Sequence, residues 1–282
     1  MHRYEKEYPV RVMARVLGVS ASGYYRWRDA GPGCRELNRR ELERAIREVH
    51  RNSRRSYGSP RVYKALQNQG RRCALTTVAD IMREAGIRAK ASKKYKATTN
   101  SKHQEVVSPN LVPQTVRAIA PDLIWVTDVT YIRTAEGWLY LCVFLDLFSR
   151  RIVGWAVSER NDSELVMLGF WRALKARRPA AGLVVHSDRG SQYASKRFRG
   201  MLAGAACVQS MSRKGNCFDN AVCESFFHSL KVELDREQRF QTRTDARTEL
   251  FNYIEGFYNT VRTHSALGYR SPVEFELGVK SS

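Results

Sequence analysis

The stretch LIWVTDVTYIRTAEGWLYLCVFLDLFSRRIVGWAVS, residues 123–158, decides the fold class of this chain. It contains three apolar runs rich in Val, Leu, Ile and aromatic residues, at 123–132, 138–147 and 151–158. Runs of this length, bounded by Gly, Ser and charged residues, are typical of buried β-strands. We therefore predict three consecutive strands joined by short turns, which begin an α/β domain.

The chain after residue 158 alternates between helix and strand signals. The pattern predicts, in order, a helix begun by Asp162 and Ser163, a fourth strand LVVHSD at 183–188, a helix over 195–205, a fifth strand CVQSM at 207–211 and a helix from about 219 to 234. Three strands, helix, strand, helix, strand, helix is the element order of a ribonuclease-H-like domain. We therefore predict a five-stranded mixed sheet with flanking helices over residues 119–242.

Two small all-α units are predicted ahead of this α/β domain. Residues 1–30 combine an amphipathic helix after Pro9 with an aromatic, basic helix capped by Ser20, which fits a helix-turn-helix or an ordinary helical hairpin. Residues 31–92 carry apolar residues at helical spacing in three stripes: Leu42, Ile46 and Val49; Val62 and Leu66; Val78, Ile81 and Met82. A polar, lysine-rich linker and a basic helical tail complete the predicted division, at 93–118 and 243–282.

The chain carries a large and unevenly placed excess of positive charge. Lys and Arg number 48 against 28 Asp and Glu, which gives a formal net charge of +20. Residues 1–120 hold 26 basic and 10 acidic residues, whereas residues 121–282 hold 22 and 18. Such an excess favours binding of a polyanion through release of counterions, although a solvated basic face is the alternative. We predict double-stranded DNA as the partner, with phosphate contacts from Arg26, Arg51, Arg54, Arg55 and Arg61.

The sequence disfavours secreted and membrane proteins. Its first ten residues, MHRYEKEYPV, are too charged for a secretory signal, and the chain contains no long uncharged apolar stretch. The six cysteines include no CxxC pair, which favours reduced thiols over a structural zinc site. We therefore expect an intracellular protein without a membrane partner.

Three acidic residues lie where a carboxylate is costly. Asp128 interrupts the first apolar run, Asp188 ends the fourth predicted strand, and Glu224 lies on the helix that begins near residue 219. A buried carboxylate costs free energy unless it is paired or holds a metal ion. The first and fourth strands of a ribonuclease-H-like sheet are neighbours, so we expect the three side chains to converge.

The helix that carries Glu224 has one polar face suited to a site. At 100° per residue, this face also contains Asn220, His228 and Lys231, while Phe226 points the opposite way. Hard oxygen ligands with open coordination positions suit Mg²⁺ or Mn²⁺. Two such ions can activate a water or a 3′-hydroxyl and stabilise the leaving oxygen of a phosphodiester displacement.

The sequence motifs around these acids resemble those of a specific protein family. Asp188 and Glu224 are separated by 35 residues, the D,D(35)E spacing of retroviral integrases and related transposases. The surrounding motifs are W-x-x-D-x-T-Y at 125–131, D-x-x-S-R-x-I-V-G-W at 146–155, H-S-D-x-G-x-Q-Y at 186–193, S-x-x-G-x-x-x-D-N-A-x-x-E-S-F-F at 212–227 and Y-N-x-x-R-x-H-x-x-L-G-Y at 258–269. From about Tyr8 to Phe275 the chain resembles the second-frame product of the insertion-sequence-three family of bacterial transposases.

This resemblance implies roles for the matching acids and their neighbours. Asp128 would bridge two Mg²⁺ ions, for which Mn²⁺ can substitute, while Asp188 and Glu224 would each hold one. Asn220 and Lys231 would position DNA beside the metals. All three acids are thus expected to be both metal ligands and catalytic residues.

Other matching residues are expected to support the site. His186, Gln192 and Tyr193 would shape the loop after the fourth strand, with a hydrogen-bonded core role as the alternative for His186. Arg262 would either contact DNA phosphate or tie the tail to the core; both roles stay open here.

The implied function is that of a DNA transposase, a polynucleotidyl transferase that cuts at insertion-sequence ends and joins 3′-hydroxyls to new phosphates. Its partners would be the element ends, target DNA, other copies of itself on DNA and the upstream-frame protein of the same element. Its place would be the bacterial cytoplasm, at the nucleoid. A nuclease on the same fold and an inactive DNA-binding regulator are the alternatives.

Two further expectations concern residues outside this set. Asp146 is a fourth acid in an apolar strand, and we expect it to pair with Arg150 or Arg151 rather than to act in catalysis. Retroviral integrases carry an N-terminal zinc unit with paired His and Cys ligands. Here His2, His50, Cys34 and Cys73 lack that spacing, so we predict no zinc.

Overall fold

The structure, a computed structural model, describes residues 1–31, 33–90, 107–112, 116–213, 221–234 and 240–280. Within these ranges, five α-helices precede the first strand: α1 Val10–Val16, α2 Ala21–Asp29, α3 Cys34–Asn52, α4 Ser59–Asn68 and α5 Leu75–Glu84. The all-α start of the chain is therefore as predicted.

The helices α1 and α2 meet at a tight turn. Gly18 has a φ of +64°, a conformation that glycine adopts without a steric penalty. The Oγ of Ser20 accepts a hydrogen bond from the Gly23 N–H at 3.1 Å and so caps α2. Tyr24 is buried and donates from its hydroxyl to Glu5 Oε2 at 2.6 Å. The predicted helix pair and its cap are confirmed.

The helices α3, α4 and α5 enclose a small apolar core. All eight residues of the three predicted stripes lie in this core or pack against it. Ile46, Val62 and Leu66 are completely buried. Because each stripe recurs with the period of an α-helix, burial of one face accounts for the fold of this unit.

The sheet has the strand order β3–β2–β1–β4–β5. Its strands are β1 Ile124–Thr134, β2 Gly137–Asp146, β3 Ile152–Ser158, β4 Val184–Ser187 and β5 Val208–Met211. β2 runs antiparallel to β1 and β3, whereas β4 runs parallel to β1 and β5. This is the predicted ribonuclease-H-like α/β arrangement, and it makes the first and fourth strands neighbours.

Helices cover both faces of the sheet because the central strands are apolar on both sides. One face carries Trp125 and Phe144 and packs against helices that follow β3 and β4. The opposite face carries Val126 and Leu145 and packs against helices near the end of the chain. The helices of the first face are α6 Ser163–Arg177, α7 Ser191–Ala194 and α8 Lys196–Gly204, and those of the second are α9 Ala221–Glu233 and α10 Arg243–Tyr253.

The predicted tail packs into the interior of the α/β domain. A capping box of Thr242 and Asp245 begins α10, which continues into a π-helical turn over Ile254–Tyr258. Leu250 and Tyr253 are completely buried in the same core as α9. A last helix, α11, spans Pro272–Lys280. The tail therefore supports the face of the sheet on which α9 lies.

The predicted linker lies partly outside the described residues. Its described piece, 107–112, lies along β5, where Leu111 N–H donates to Ser210 Oγ at 2.9 Å. Met211 N–H donates back to the Pro109 carbonyl at 3.3 Å. Among the helices of the described chain, none is long and apolar enough to cross a membrane.

Candidate active site

The pairing of β1 with β4 brings the first two predicted acids together. These strands are parallel, and their register pairs Trp125 with Val185 and Val126 with His186. Two residues beyond the second pair lie Asp128 on β1 and Asp188 just after β4. Neighbouring strands are about 4.8 Å apart, so the two side chains belong to one end of the sheet.

Glu224 joins them from α9. Its neighbours Cys223, Phe226 and Phe227 are buried in the core, which fixes this helix against the sheet. Glu224 itself is half-buried, as are Asp128 and Asp188. The face of α9 that carries Glu224 is therefore not the face that packs into the core.

The three carboxylates share one electrostatic environment. Burial raises the pKa of Asp128 well above its ordinary value, and the charges of Asp188 and Glu224 raise it further. Burial also raises the pKa of Glu224. A positive charge bound beside the three carboxylates would offset this repulsion.

Backbone donors hold two of the acids. Asp128 Oδ1 accepts from the N–H of Val129 at 2.7 Å, and Asp188 Oδ1 accepts from the N–H of Gly190 at 2.9 Å. Within the described parts of the chain, no group of three His, Cys, Asp or Glu side chains is arranged so as to hold a metal ion. The carboxylates are thus neighbours but do not form a closed ligand set.

Lys231 lies on the same side of α9 as Glu224. Its Nζ is 4.7 Å from the centre of the Tyr131 ring on β1, and its charge lowers the pKa of Asp128. Asn220, the other residue expected to position DNA, lies outside the described residues. The expected proximity of Lys231 to the acids is thus observed.

Two buried residues, one within β4 and one after it, form hydrogen bonds near the acids. His186 is buried, with Nδ1 2.9 Å from Ser210 Oγ on β5, which favours the hydrogen-bonded core role. Tyr193 is also buried, and its hydroxyl is 3.1 Å from Thr127 Oγ1, beside Asp128 on β1. His186 therefore ties β4 to β5, and Tyr193 ties the segment after β4 to β1 beside Asp128.

The prediction for Asp146 is wrong. Its buried carboxylate accepts hydrogen bonds from the backbone of Asp122 at 2.7 Å and from Ser149 N and Oγ at 2.8 and 3.0 Å. In the described structure neither Arg150 nor Arg151 forms an ion pair with it, and Arg151 instead pairs with Glu276. Three short-range donors in the turns satisfy the carboxylate, so no arginine is required.

The arginines proposed from sequence as DNA contacts differ in exposure. Arg26 on α2 is exposed, as are Arg51 and Arg55 near the end of α3. Arg54 is only partly exposed, because it pairs with Glu249 of α10. Arg61 on α4 is half-buried and lies over the Tyr57 ring at 5.6 Å. Arg51, Arg54 and Arg55 line a cavity of about 550 Å³.

Arg262, for which the sequence left two roles open, forms a buried ion pair. It is only 4% exposed, and its guanidinium forms hydrogen bonds of 2.8 to 3.0 Å with both carboxylate oxygens of Glu233. Arg262 therefore ties the tail to α9, which is one of the two roles that the sequence left open. The sequence offered no sign of Glu233, which looks like an ordinary surface acid of an amphipathic helix.

Comparisons with known proteins agree with this architecture. The family described as integrase core domain matches residues 119–217, and a second family of that description matches 224–278. The family described as HTH-like domain matches residues 36–95.

Two relatives match nearly the whole chain. The transposase InsF for insertion sequence IS3A from Escherichia coli (strain K12) is 40% identical over 98% of this chain and 96% of its own. The transposase for insertion sequence element IS904 from Lactococcus lactis subsp. lactis (strain IL1403) is 44% identical over 87% and 97%. This chain is therefore similar to these transposases over most of its length and of theirs.

One solved structure has a more distant likeness. The HTLV-2 integrase catalytic core domain in complex with magnesium has 15% identity and a TM-score of 0.45, covering 57% of this chain and 99% of its own. A likeness this weak carries no argument about function.

Proposed function

The chain belongs to the IS3 family of transposases, and on that premise we propose that Asp128, Asp188 and Glu224 are its catalytic, metal-binding residues. The family assigns it DNA transposition, a polynucleotidyl transfer carried out by an integrase core. The observation that carries the proposal for these residues is their placement on two adjacent parallel strands, with Asp128 within β1 and Asp188 directly after β4, and on the helix packed beside them.

The donor set suits a divalent cation in chemistry and in charge. Three carboxylates supply hard oxygen ligands, which Mg²⁺ and Mn²⁺ prefer. The raised pKa of Asp128 supports this assignment, because a cation would offset the repulsion from Asp188 and Glu224. We propose two Mg²⁺ ions, which Asp128, Asp188 and Glu224 would hold.

When bound, the metals activate the attacking oxygen and stabilise the leaving oxygen of an in-line phosphodiester displacement. The residues of the chain determine where this happens. Val129 and Gly190 orient Asp128 and Asp188 through their backbone N–H groups. Lys231 places a positive charge beside the acids, where it can hold a backbone phosphate.

DNA binding follows from the HTH-like and integrase domains. We propose that Arg26, Arg51 and Arg55, which are exposed, contact phosphate, and that Asn220 and Lys231 do so near the acids. Arg54 and Arg61 are proposed as secondary contacts because both are partly covered. Synapsis of two element ends calls for self-association on DNA, and the upstream-frame protein of the element is proposed as a further partner.

A strand-transfer assay tests the proposed reaction. The purified protein is incubated with Mg²⁺, a duplex that ends in a pre-cut 3′-hydroxyl of the element, and supercoiled target DNA. We expect joined products with Mg²⁺ or Mn²⁺ and none with a chelator. Hydrolysis without joining would favour a nuclease on this fold, and DNA binding without either reaction would favour a regulator.

A further inference from the structure

A basic pocket lies beside α9, where the helical domain, the turn between β2 and β3, and the tail meet. Its volume is about 320 Å³. Its polar lining consists of Arg61 from α4, Arg150 from the turn, Ser225 and Ser229 from α9, and Tyr258, Arg262, His264 and Ser265 from the tail. No Asp or Glu is among its described lining residues. The pocket thus concentrates positive charge from three separate parts of the chain.

Two of its arginines have no carboxylate partner. Arg262 is neutralised by Glu233, but within the described structure neither Arg61 nor Arg150 forms an ion pair. Burial lowers the pKa of both Arg61 and Arg150, because a charge held away from water is disfavoured. Partly buried guanidinium groups without counter-charges favour an anion from outside.

His264 lines the same pocket. Its Nε2 is buried and has no hydrogen-bond partner among the described residues. Burial, followed by the charges of Arg262, Arg61 and Arg150, lowers the pKa of His264 to about 3. All three guanidinium groups are therefore close to one neutral imidazole, which can offer an N–H to an anion.

We propose that this pocket binds a backbone phosphate of the DNA that the active site acts on. Planar guanidinium groups match the oxygens of a phosphate, and two serine hydroxyls and one imidazole supply further hydrogen bonds. The inference rests on the proposed function, because it takes the bound polyanion to be the transposase substrate.

The position on α9 favours DNA over a small phosphate compound. Ser225 follows Glu224 directly. At 100° per residue, Ser229 lies 140° around the helix from Glu224. The two pocket serines and Glu224 therefore lie on adjoining sides of α9. A duplex lying across α9 can reach both, and a phosphate in the pocket fixes its position relative to the acids.

The pocket is lined by residues of the HTH-like domain and of α9, the helix that carries Glu224. Arg61 belongs to the HTH-like domain, whereas Ser225 and Ser229 belong to the helix that carries Glu224. A phosphate held by all of them connects these domains through the DNA itself. The pocket thus has a positioning role and does not touch the reacting atoms.

A matched pair of variants at Ser225, which is exposed, tests the proposal. Ser225→Glu supplies a tethered carboxylate that pairs with the pocket arginines, whereas Ser225→Gln has a similar size and no charge. Affinity for a random-sequence duplex is measured with the full chain in a chelator, over a range of salt concentrations. Relative to Ser225→Gln, we expect Ser225→Glu to bind at least about ten-fold more weakly. Its salt slope should fall by about 0.9 and its melting temperature should rise.

Two substitutions of the arginines give a second measurement. Arg61→Gln and Arg150→Gln should each lower the affinity and the salt slope. Arg172→Gln removes the same charge from an exposed residue of α6 outside the pocket, and it should change neither. Equal affinities and slopes for the two Ser225 variants, or for the pocket and control arginine variants, overturn the proposal.

Inorganic phosphate distinguishes a small-molecule site. If phosphate stabilises Ser225→Gln but not Ser225→Glu while both bind DNA equally, the pocket holds free phosphate and the DNA assignment is wrong. The proposed function is tested separately. It is wrong if the unaltered protein shows no metal-dependent joining, and that result leaves the DNA-binding measurements in a chelator unaffected.

Discussion

Glu233 on α9 and Arg262 in the tail form a buried, forked ion pair. Arg262 Nε lies 3.0 Å from both carboxylate oxygens of Glu233, and Nη2 lies 2.8 Å from Oε1. Tyr253 of α10 donates to the same carboxylate at 2.8 Å. This pair fixes the tail to the helix that carries Glu224, so the geometry of the candidate site depends on it.

We therefore expect Arg262→Gln to cost about 3–5 kcal/mol of unfolding free energy, because it leaves the Glu233 carboxylate buried without its counter-charge. Urea unfolding measures the loss. The double variant Glu233→Leu, Arg262→Met serves as the matched control and should lose much less, since no buried charge remains. A loss below about 1 kcal/mol for Arg262→Gln would mean that the pair is not a structural support.

The sheet could be predicted because its signals are local. The apolar runs that become β1, β2 and β3 are long, and each lies within a few residues of its predicted bounds. Gly154 belongs to the motif at 146–155, but its role required coordinates: an added Cβ would lie 2.5 Å from Ala173 Cβ on α6. Such close approach between elements leaves no periodic trace in a sequence.

The polar partners could not be predicted for the same reason. Asp146 was expected to pair with a neighbouring arginine, but backbone N–H groups of two turns reach it first. Arg262 and Glu233 are 29 residues apart, and only the packing of the tail on α9 brings them together. The elements that carry the three acids could be predicted, because strand order and helix position follow from local apolar patterns.

Amide substitutions test the three acids. Asp128→Asn, Asp188→Asn and Glu224→Gln should each reduce strand transfer by about 1000-fold or more, since each removes charge stabilisation worth several kcal/mol. DNA affinity should be unchanged or slightly tighter, because a negative charge near phosphate is lost. Exposed Glu159→Gln is the control. Joining by Glu224→Gln at the rate of the unaltered protein would remove Glu224 from the site.

The same carboxylates predict a gain of stability on neutralisation. Because Asp128 has a raised pKa, its charged form at pH 7 costs folding free energy. Asp128→Asn should therefore raise the free energy of unfolding of the metal-free protein by about 1 kcal/mol. Added Mg²⁺ should stabilise the unaltered protein more than the variant. Thermal unfolding with and without Mg²⁺ measures both effects, and equal Mg²⁺ shifts would contradict a role for Asp128 as a ligand.

The arginines at the end of α3 can be separated by charge reversal. Arg51→Glu and Arg55→Glu alter exposed side chains, so each should lower the magnitude of the salt slope of DNA binding by about 0.9 or more. Arg54→Glu should instead reduce stability, because it places two acids together by replacing the partner of Glu249. Fluorescence anisotropy and urea unfolding report the two effects. Unchanged slopes for Arg51 and Arg55 would place the DNA contact elsewhere.

The attachment of α11 should depend on pH. Glu276 accepts hydrogen bonds from Ser149 at 2.7 Å, Arg151 at 2.9 Å and Arg177 at 2.8 Å. Burial works to raise the pKa of Glu276, but hydrogen bonds from Arg177 and Ser149 and the charge of Arg177 hold it below 4.5. An acid with a lowered pKa contributes stability that is complete above its unfolded value and is lost as the pH falls through its folded value.

Glu276→Gln should therefore lower the free energy of unfolding by about 2–3 kcal/mol at pH 7. The difference from the unaltered protein should stay constant down to about pH 4.5 and shrink below it, because protonation then removes the same charge from the unaltered protein. Glu164→Gln, at an exposed ion pair with Arg197, is the control and should cost about 0–1 kcal/mol. Urea unfolding at a series of pH values measures both differences. A Glu276 difference that is as large at pH 3 as at pH 7 would show that packing, and not the charge, holds α11.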